Sequence, residues 1–153
     1  MAMTGNAVRK TLLVLVAIGI LGSHSLSRGE EANWELLDSE PDHSDFYYNK
    51  SSISRSPEGI TSVWAKVAYT EEGKADTLRI LKAKAYENLA YSLYLYDIDC
   101  KGMKSHLKQI VHYDNKGNRI KEFNLAEKTA WEDIPINSRL ESIADAECGK
   151  NDP

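Results

Sequence analysis

Residues 91–100 have the sequence YSLYLYDIDC, and this stretch decides how the rest of the chain is interpreted. Tyrosine, leucine and isoleucine alternate along it in the period of two that is typical of a β-strand. On such a strand Tyr94, Tyr96, Ile98 and Cys100 point to one side, and the intervening residues point to the other. The stretch is therefore either a strand that ends in a structural disulfide or part of a metal or redox site.

A metal site in this stretch would depend on Asp97 and Asp99, which share one face of the predicted strand. Hard cations such as calcium take about six or more oxygen ligands, and no loop with EF-hand spacing supplies the others. We therefore interpret the two aspartates as the end of a strand that emerges into solvent.

The first 27 residues have the features of a secretory signal peptide. Arg9 and Lys10 precede the apolar run Thr11–Gly22, and small residues follow at Ser25 and Ser27, where signal peptidase could cut. An uncleaved N-terminal anchor is the alternative, although a membrane-spanning helix needs roughly 20 apolar residues. No cysteine lies directly after the apolar run, so no lipid attachment site is predicted there.

We therefore predict a signal peptide over residues 1–27 and one exported domain over residues 28–153. The product would be periplasmic or secreted, with association with the cell surface as a further alternative, and would retain no membrane span after cleavage. The whole chain has 19 basic and 23 acidic side chains and no basic stripe, which argues against a nucleic-acid partner.

The chain has two cysteines, Cys100 and Cys148, both in the predicted exported part. Export places them in an oxidising compartment, and their distance in the sequence excludes a CxxC redox motif and zinc-finger spacing. A reactive thiol is the alternative. Cys148, however, would lie at a helix C-terminus, where the dipole disfavours a thiolate. We predict a disulfide between them.

Alternating or strand-favouring segments predict six strands, separated by turns at Ser56–Gly59 and Asp114–Gly117. They are Trp34–Leu37, Asp45–Asn49, Ile60–Thr70, Tyr91–Cys100, Met103–Tyr113 and Asn118–Leu125.

Two helices are predicted. Leu78, Leu81, Ala85 and Leu89 form an apolar stripe that favours a short helix, although strand structure could begin as early as Tyr86.

The second helix is C-terminal and begins with the capping box SRLE at residues 138–141. Leu140, Ala144 and Cys148 share its apolar face. The predicted class is α+β: an antiparallel sheet of about six strands, with the C-terminal helix packed on it and tied to it by the disulfide.

The candidates for catalysis are few. His106 and His112 fall on one face of the predicted fifth strand, but lysines on that face would repel a metal, and a solvated face is the favoured interpretation. Hydrolase, phosphate-loop and zinc-protease motifs do not occur. We therefore expect no enzyme activity and no cofactor, with a small periplasmic enzyme or metal-binding protein as the alternative.

Several segments together resemble the surface-adhesin protein E family of bacterial envelope proteins. They are DFYYNKSSISR, VWAKVAY, YSLYLYDIDC, VHYDNKGNRI and WEDIPINSRLESIADAEC, in this order along the predicted domain. The resemblance implies an antiparallel sheet with a C-terminal helix laid on it, and it places the family's cysteine pair at Cys100 and Cys148. It also implies adhesion to host or matrix proteins.

The expected function is that of an exported, non-catalytic, adhesin-like module that binds a macromolecular partner of the envelope or the extracellular space. Tyr47, Tyr94 and Tyr96 are candidate contacts, because tyrosine combines a large rigid surface with a polar tip. Trp34, Trp64 and Trp131 could also be binding anchors, although packing is the more common role for each of these aromatics.

Overall fold

A computed structural model describes residues 33–149, and its centre is one antiparallel sheet. The predicted signal peptide, residues 1–27, lies outside the described residues. The main strands follow the spatial order β1-β2-β4-β5-β6-β7, while β3 pairs with β4 and β8 pairs with β6. The strands are β1 (Trp34–Glu40), β2 (Ser44–Asn49), β3 (Ser54–Arg55), β4 (Ile60–Tyr69), β5 (Leu89–Asp99), β6 (Lys104–Asp114), β7 (Arg119–Asn124) and β8 (Glu132–Asp133), and the α-helices are α1 (Glu71–Leu81) and α2 (Arg139–Cys148).

The predicted fold class is confirmed: the six predicted strands are present, and the C-terminal helix is tied to the sheet. Both predicted turns form, with Gly59 at φ 88° and Gly117 at φ 78°, a region that glycine enters without steric cost. The two-residue strands β3 and β8 were not predicted, because segments this short have no measurable periodicity.

Helix α1 begins and ends earlier than the apolar stripe predicts. Thr70 caps its start, where the hydroxyl oxygen accepts a hydrogen bond from the Gly73 N–H at 3.1 Å. The helix ends at Lys82, which adopts a left-handed conformation and donates its N–H to the Leu78 carbonyl. The predicted continuation of the helix to Leu89 is wrong, because Leu89 is already the first residue of β5.

Helix α2 begins at the predicted cap, with one difference in its hydrogen bonds. The Ser138 hydroxyl oxygen accepts from the Glu141 N–H at 3.1 Å, as a capping box requires. The Glu141 carboxylate accepts from the Asn137 N–H at 2.5 Å, whereas the Ser138 N–H donates to the Pro135 carbonyl. The glutamate therefore stabilises the turn before the helix.

The core lies between α2 and one face of the sheet, which we call the inner face. Its buried apolar residues come from three strands, from the segment before α2 and from α2 itself: Tyr48, Val63, Ile98, Ile134, Ile143 and Ala144. The Cys100–Cys148 disulfide, with its Cα atoms 5.4 Å apart, joins the residue after β5 to the last residue of α2. The predicted disulfide and the predicted apolar stripe of α2 are both present.

A buried ion pair lies next to this disulfide. Glu147, on α2, is 3% exposed and accepts hydrogen bonds from the Tyr48 hydroxyl and from Arg55, each at 3.0 Å. Arg55 also donates to the Glu147 carbonyl. The C-terminal end of the helix is therefore fastened to β2 and β3 as well as to β5.

A bulge in β6 changes the expected positions of the two histidines. Leu95 pairs with Gln109 and the next residue, Tyr96, pairs with Leu107, so Lys108 is an extra residue in the register. As a result His106 lies on the opposite, outer face, and His112 lies on the inner face with 7% exposure. The prediction that both occupy one solvated face is wrong, because simple alternation does not account for a bulge.

Candidate functional site

The outer face of the sheet carries aromatic and aliphatic side chains that remain partly exposed. Strand alternation places the inward residues of β4, such as Val63, in the core and turns their neighbours outward. Trp64 and Lys66 therefore project from the outer face, where they pair across strands with Leu95 and Leu93. One face of an antiparallel sheet can stay in contact with water, and partly exposed aromatic and aliphatic side chains on that face make it a candidate interaction surface.

A groove about 510 Å³ in volume crosses this face, and we call it the outer groove. Trp34 lines one part of the groove and Tyr91 lines another. Ala68 and Ala90 also line it, and their short side chains leave the groove open. The complete lining is Trp34, Lys66, Ala68, Ala90, Tyr91 and Leu93.

Lys66 gives the outer groove a positive charge. Its ammonium nitrogen lies 4.7 Å from the centre of the Trp34 ring and 4.4 Å from that of Tyr47, so two aromatic rings hold it. Within residues 33–149, no carboxylate forms an ion pair or hydrogen bond with it. Burial lowers the pKa of Lys66, because desolvation disfavours the charged form.

Tyr91 is held by a second aromatic ring. It stacks on its cross-strand partner Tyr113, with the ring centres 4.8 Å apart and the planes within 9° of parallel. Burial, with smaller contributions from Tyr113 and Asp114, raises the pKa of Tyr91. A tyrosine hydroxyl is protonated at neutral pH, so Tyr91 can donate a hydrogen bond in the groove.

The inner face has a smaller groove of about 200 Å³ beside the first turn of α2. We call it the inner groove, and its complete lining is Leu37, Phe46, Tyr47, Ala65, Lys66, Val67, Tyr94, Tyr96, Arg139, Leu140 and Ile143. The Arg139 guanidinium lies 3.2 Å from the centre of the Phe46 ring and forms ion pairs with two carboxylates of β1, those of Asp38 and Glu40. This groove therefore already contains a cation supplied by the chain itself.

The three predicted contact tyrosines all line the inner groove, but their side chains project from opposite faces of the sheet. Tyr47 lies on the outer face, against Lys66. Tyr94 and Tyr96 lie on the inner face with ring centres 6.4 Å apart, and burial raises the pKa of both. Lys66 was not among the predicted contact residues, although the alternation in ITSVWAKVAY places its side chain on the face opposite the core.

A polar cluster is buried at the other end of the inner face. The Ser92 hydroxyl lies 2.6 Å from His112 Nδ1 and 3.1 Å from the Tyr69 hydroxyl, and Tyr86 and Phe123 contact the imidazole edge-on. A serine next to a histidine can form a nucleophile and base. Ser92, however, is 0% exposed, so no substrate reaches its hydroxyl, and the pair is structural.

Burial of His112 predicts acid-sensitive stability. Desolvation lowers its pKa below the ordinary value of 6.5, so the unfolded chain binds a proton that the folded chain does not. This difference in proton binding has little effect on the free energy of unfolding above pH 6.5. Below that value it lowers the free energy of unfolding progressively as the pH falls. In His112→Gln, the free energy of unfolding between pH 7 and pH 5 should depend less on pH than in the wild type, as urea titrations at each pH would show. An equally steep dependence in the variant would exclude His112 as its source.

The two aspartates of the opening stretch have partners within the fold. Asp97 accepts hydrogen bonds from Ser62 at 2.5 Å and from Lys108 at 2.9 Å. Asp99 accepts from the backbone N–H groups of Lys101 and Gly102, at 3.0 and 3.1 Å. Over residues 33–149, no three His, Cys, Asp or Glu side chains come together in a group that could hold a metal ion.

Comparison with known families agrees with this architecture. A family model described as surface-adhesin protein E matches residues 34–149, nearly the whole described range. The chain belongs to the surface-adhesin protein E family. None of the curated proteins compared with it shows significant similarity.

Membership of the surface-adhesin protein E family indicates an adhesin-like protein that acts at the cell surface or outside the cell. It also suggests a protein without catalytic activity. Neither helix in the described range is both long and apolar enough to cross a membrane.

Proposed function

We propose that this chain is an exported, non-catalytic binding module that holds a macromolecular partner of the envelope or extracellular space. The observation that carries the proposal is the outer groove, with its aromatic lining and its ammonium group that has no carboxylate partner. A partly exposed aromatic surface of this kind supports a role in association rather than in packing.

The described residues also support binding without catalysis. Two serine–histidine pairs are within hydrogen-bond distance, Ser92–His112 and Ser44–His43, and the serine of each is 0% exposed. Within residues 33–149, Lys66 forms no ion pair or hydrogen bond with a carboxylate. Tyr47 lies beside Lys66, so we assign it as a contact, while Tyr94 and Tyr96 remain candidate contacts through the inner groove.

We place the mature protein in the periplasm or outside the cell, including the cell surface, after cleavage at Ser25 or Ser27. The basic start and the apolar run of the N-terminal segment support this assignment. Intact-mass measurement of the exported protein tests it, since retention of residues 1–27 would contradict cleavage.

The test of binding is capture of a partner from envelope and extracellular fractions by the immobilised protein. Tyr47→Ala should lose most of the captured partner, because it removes one of the two rings that hold Lys66. Its circular dichroism and its urea transition should remain those of a folded protein.

Trp131→Ala is the matched control, because Trp131 is also an exposed aromatic residue but packs on His106, outside the outer groove. It should retain capture. Loss of capture in Tyr94→Ala or Tyr96→Ala, but not in Tyr47→Ala, would move the site to the inner groove. Absence of any specific partner from all fractions would contradict the binding module itself.

A further inference from the structure

We propose that the outer groove recognises a carboxylated sugar, such as a uronic acid residue of a glycan, and holds its carboxylate against Lys66. This inference rests on the proposed binding function and names the chemical class of the partner. Three features of the groove carry it: its aromatic lining, its isolated ammonium group and its position on the face of the sheet.

The aromatic lining suits a sugar ring. A pyranose presents flat C–H surfaces and hydroxyl groups at its edge, so it can contact an aromatic ring and still form hydrogen bonds. Trp34 and Tyr91 provide the rings, and their indole N–H and hydroxyl are polar groups at the end of an apolar surface. Ala68 and Ala90 leave the space above the floor open because their side chains are short.

The ammonium group determines the charge of the ligand. Lys66 is partly desolvated between two rings and pairs with no carboxylate of residues 33–149. Elsewhere on the sheet Lys108 and Lys104 are paired with aspartates. A ligand carboxylate would complete a charge-assisted hydrogen bond that the protein leaves open, and such bonds are stronger than neutral ones.

The position of the groove disfavours an acidic peptide. The groove lies on the face of the sheet, where the backbone N–H and C=O groups of β4 and β5 are already paired with each other. A peptide bound there could not add a strand, and its backbone polar groups would gain no hydrogen-bond partners from the backbone of the sheet. A sugar has no such backbone to satisfy, so a glycan fits the groove better than an extended peptide.

The experiment uses protein purified after expression of the full chain, together with matched pairs of ligands. Methyl glucuronide and methyl glucoside differ at the carboxylate, and a glycan array adds acidic and neutral oligosaccharides. The acidic member of each pair should bind roughly ten- to hundred-fold more tightly, with changes in the NMR signal of the Trp34 indole N–H. Lys66→Met should reduce acidic binding to the neutral level.

Lys121→Met is the matched control, because the Lys121 ammonium also lies over an aromatic ring, that of Phe123 at 5.1 Å, but is outside the outer groove. It should bind the acidic sugars like the wild type. Equal binding of acidic and neutral sugars, or Lys66-dependent binding of a polyglutamate peptide in preference to every acidic glycan, would overturn the proposal.

The same experiment separates this inference from the proposed function. If no glycan binds but Tyr47→Ala still abolishes partner capture, the sugar assignment fails and the binding module stands. If neither glycan binding nor specific capture is found, both fail.

Discussion

Replacing Cys100 and Cys148 together with alanine is expected to lower the free energy of unfolding by about 4 kcal/mol. The disulfide joins residues 48 positions apart, and a cross-link of this span removes much of the conformational freedom of the unfolded chain. Small domains are stable by about 5–15 kcal/mol in total, so the loss is a large share. The urea midpoint should fall by roughly 1–4 M.

Wild-type protein unfolded in the presence of a reductant is the control for this variant, because it loses the cross-link but keeps both side chains. The two samples should unfold at similar urea concentrations. A variant as stable as the oxidised wild type would show that the disulfide contributes little. Because α2 packs on the inner face, we expect the helix to detach first and to expose the Tyr48 and Ile98 side chains.

The local sequence patterns were sufficient for most of the strands and for the start of α2. Alternation in the segments around Val63 and Tyr96 and the capping residue Ser138 depend only on neighbours in the sequence. The end of α1 was mispredicted because it does not depend on the local apolar pattern alone. The apolar stripe continues to Leu89, but the left-handed turn at Lys82 and the pairing of β5 with its neighbours end the helix.

The candidate site was harder to predict, because it depends on which strands become neighbours. Trp34 and Tyr91 are far apart in the sequence and meet at one groove only through the order β1-β2-β4-β5. The bulge at Lys108 then separates His106 from His112. Alternation identifies the two sides of each strand, but it does not give the register that combines them.

The buried carboxylate of Glu147 was missed for a related reason. On the helix it lies next to Cys148, and a charged residue there is ordinarily expected to face water. The structure turns it inward to Tyr48 and Arg55, which lie on strands 99 and 92 residues earlier in the chain. Only the packing of α2 on the sheet shows that a charged group is buried there.

Replacing Arg55 with methionine is expected to lower the free energy of unfolding by about 2–3 kcal/mol. The change leaves the Glu147 carboxylate in place, 3% exposed, without the guanidinium that donates to it at 3.0 Å. An uncompensated buried charge is more costly than the loss of the pair as a whole. The expected value is below the range of about 3–5 kcal/mol for fully buried pairs. The Arg55 side chain is itself 34% exposed, so water can partly replace it.

Two further variants separate charge from packing. Arg119→Met is the matched control, because Arg119 pairs with Glu122 at an exposed position, where an ion pair contributes at most about 1 kcal/mol. Adding Glu147→Gln to Arg55→Met should restore part of the lost stability, because the neutral amide carries no buried charge and its carbonyl can still accept from Tyr48. A double variant no more stable than Arg55→Met would show that Arg55 acts by packing against α2. In that case the disulfide, rather than the ion pair, would be the main link that holds the end of the helix to the sheet.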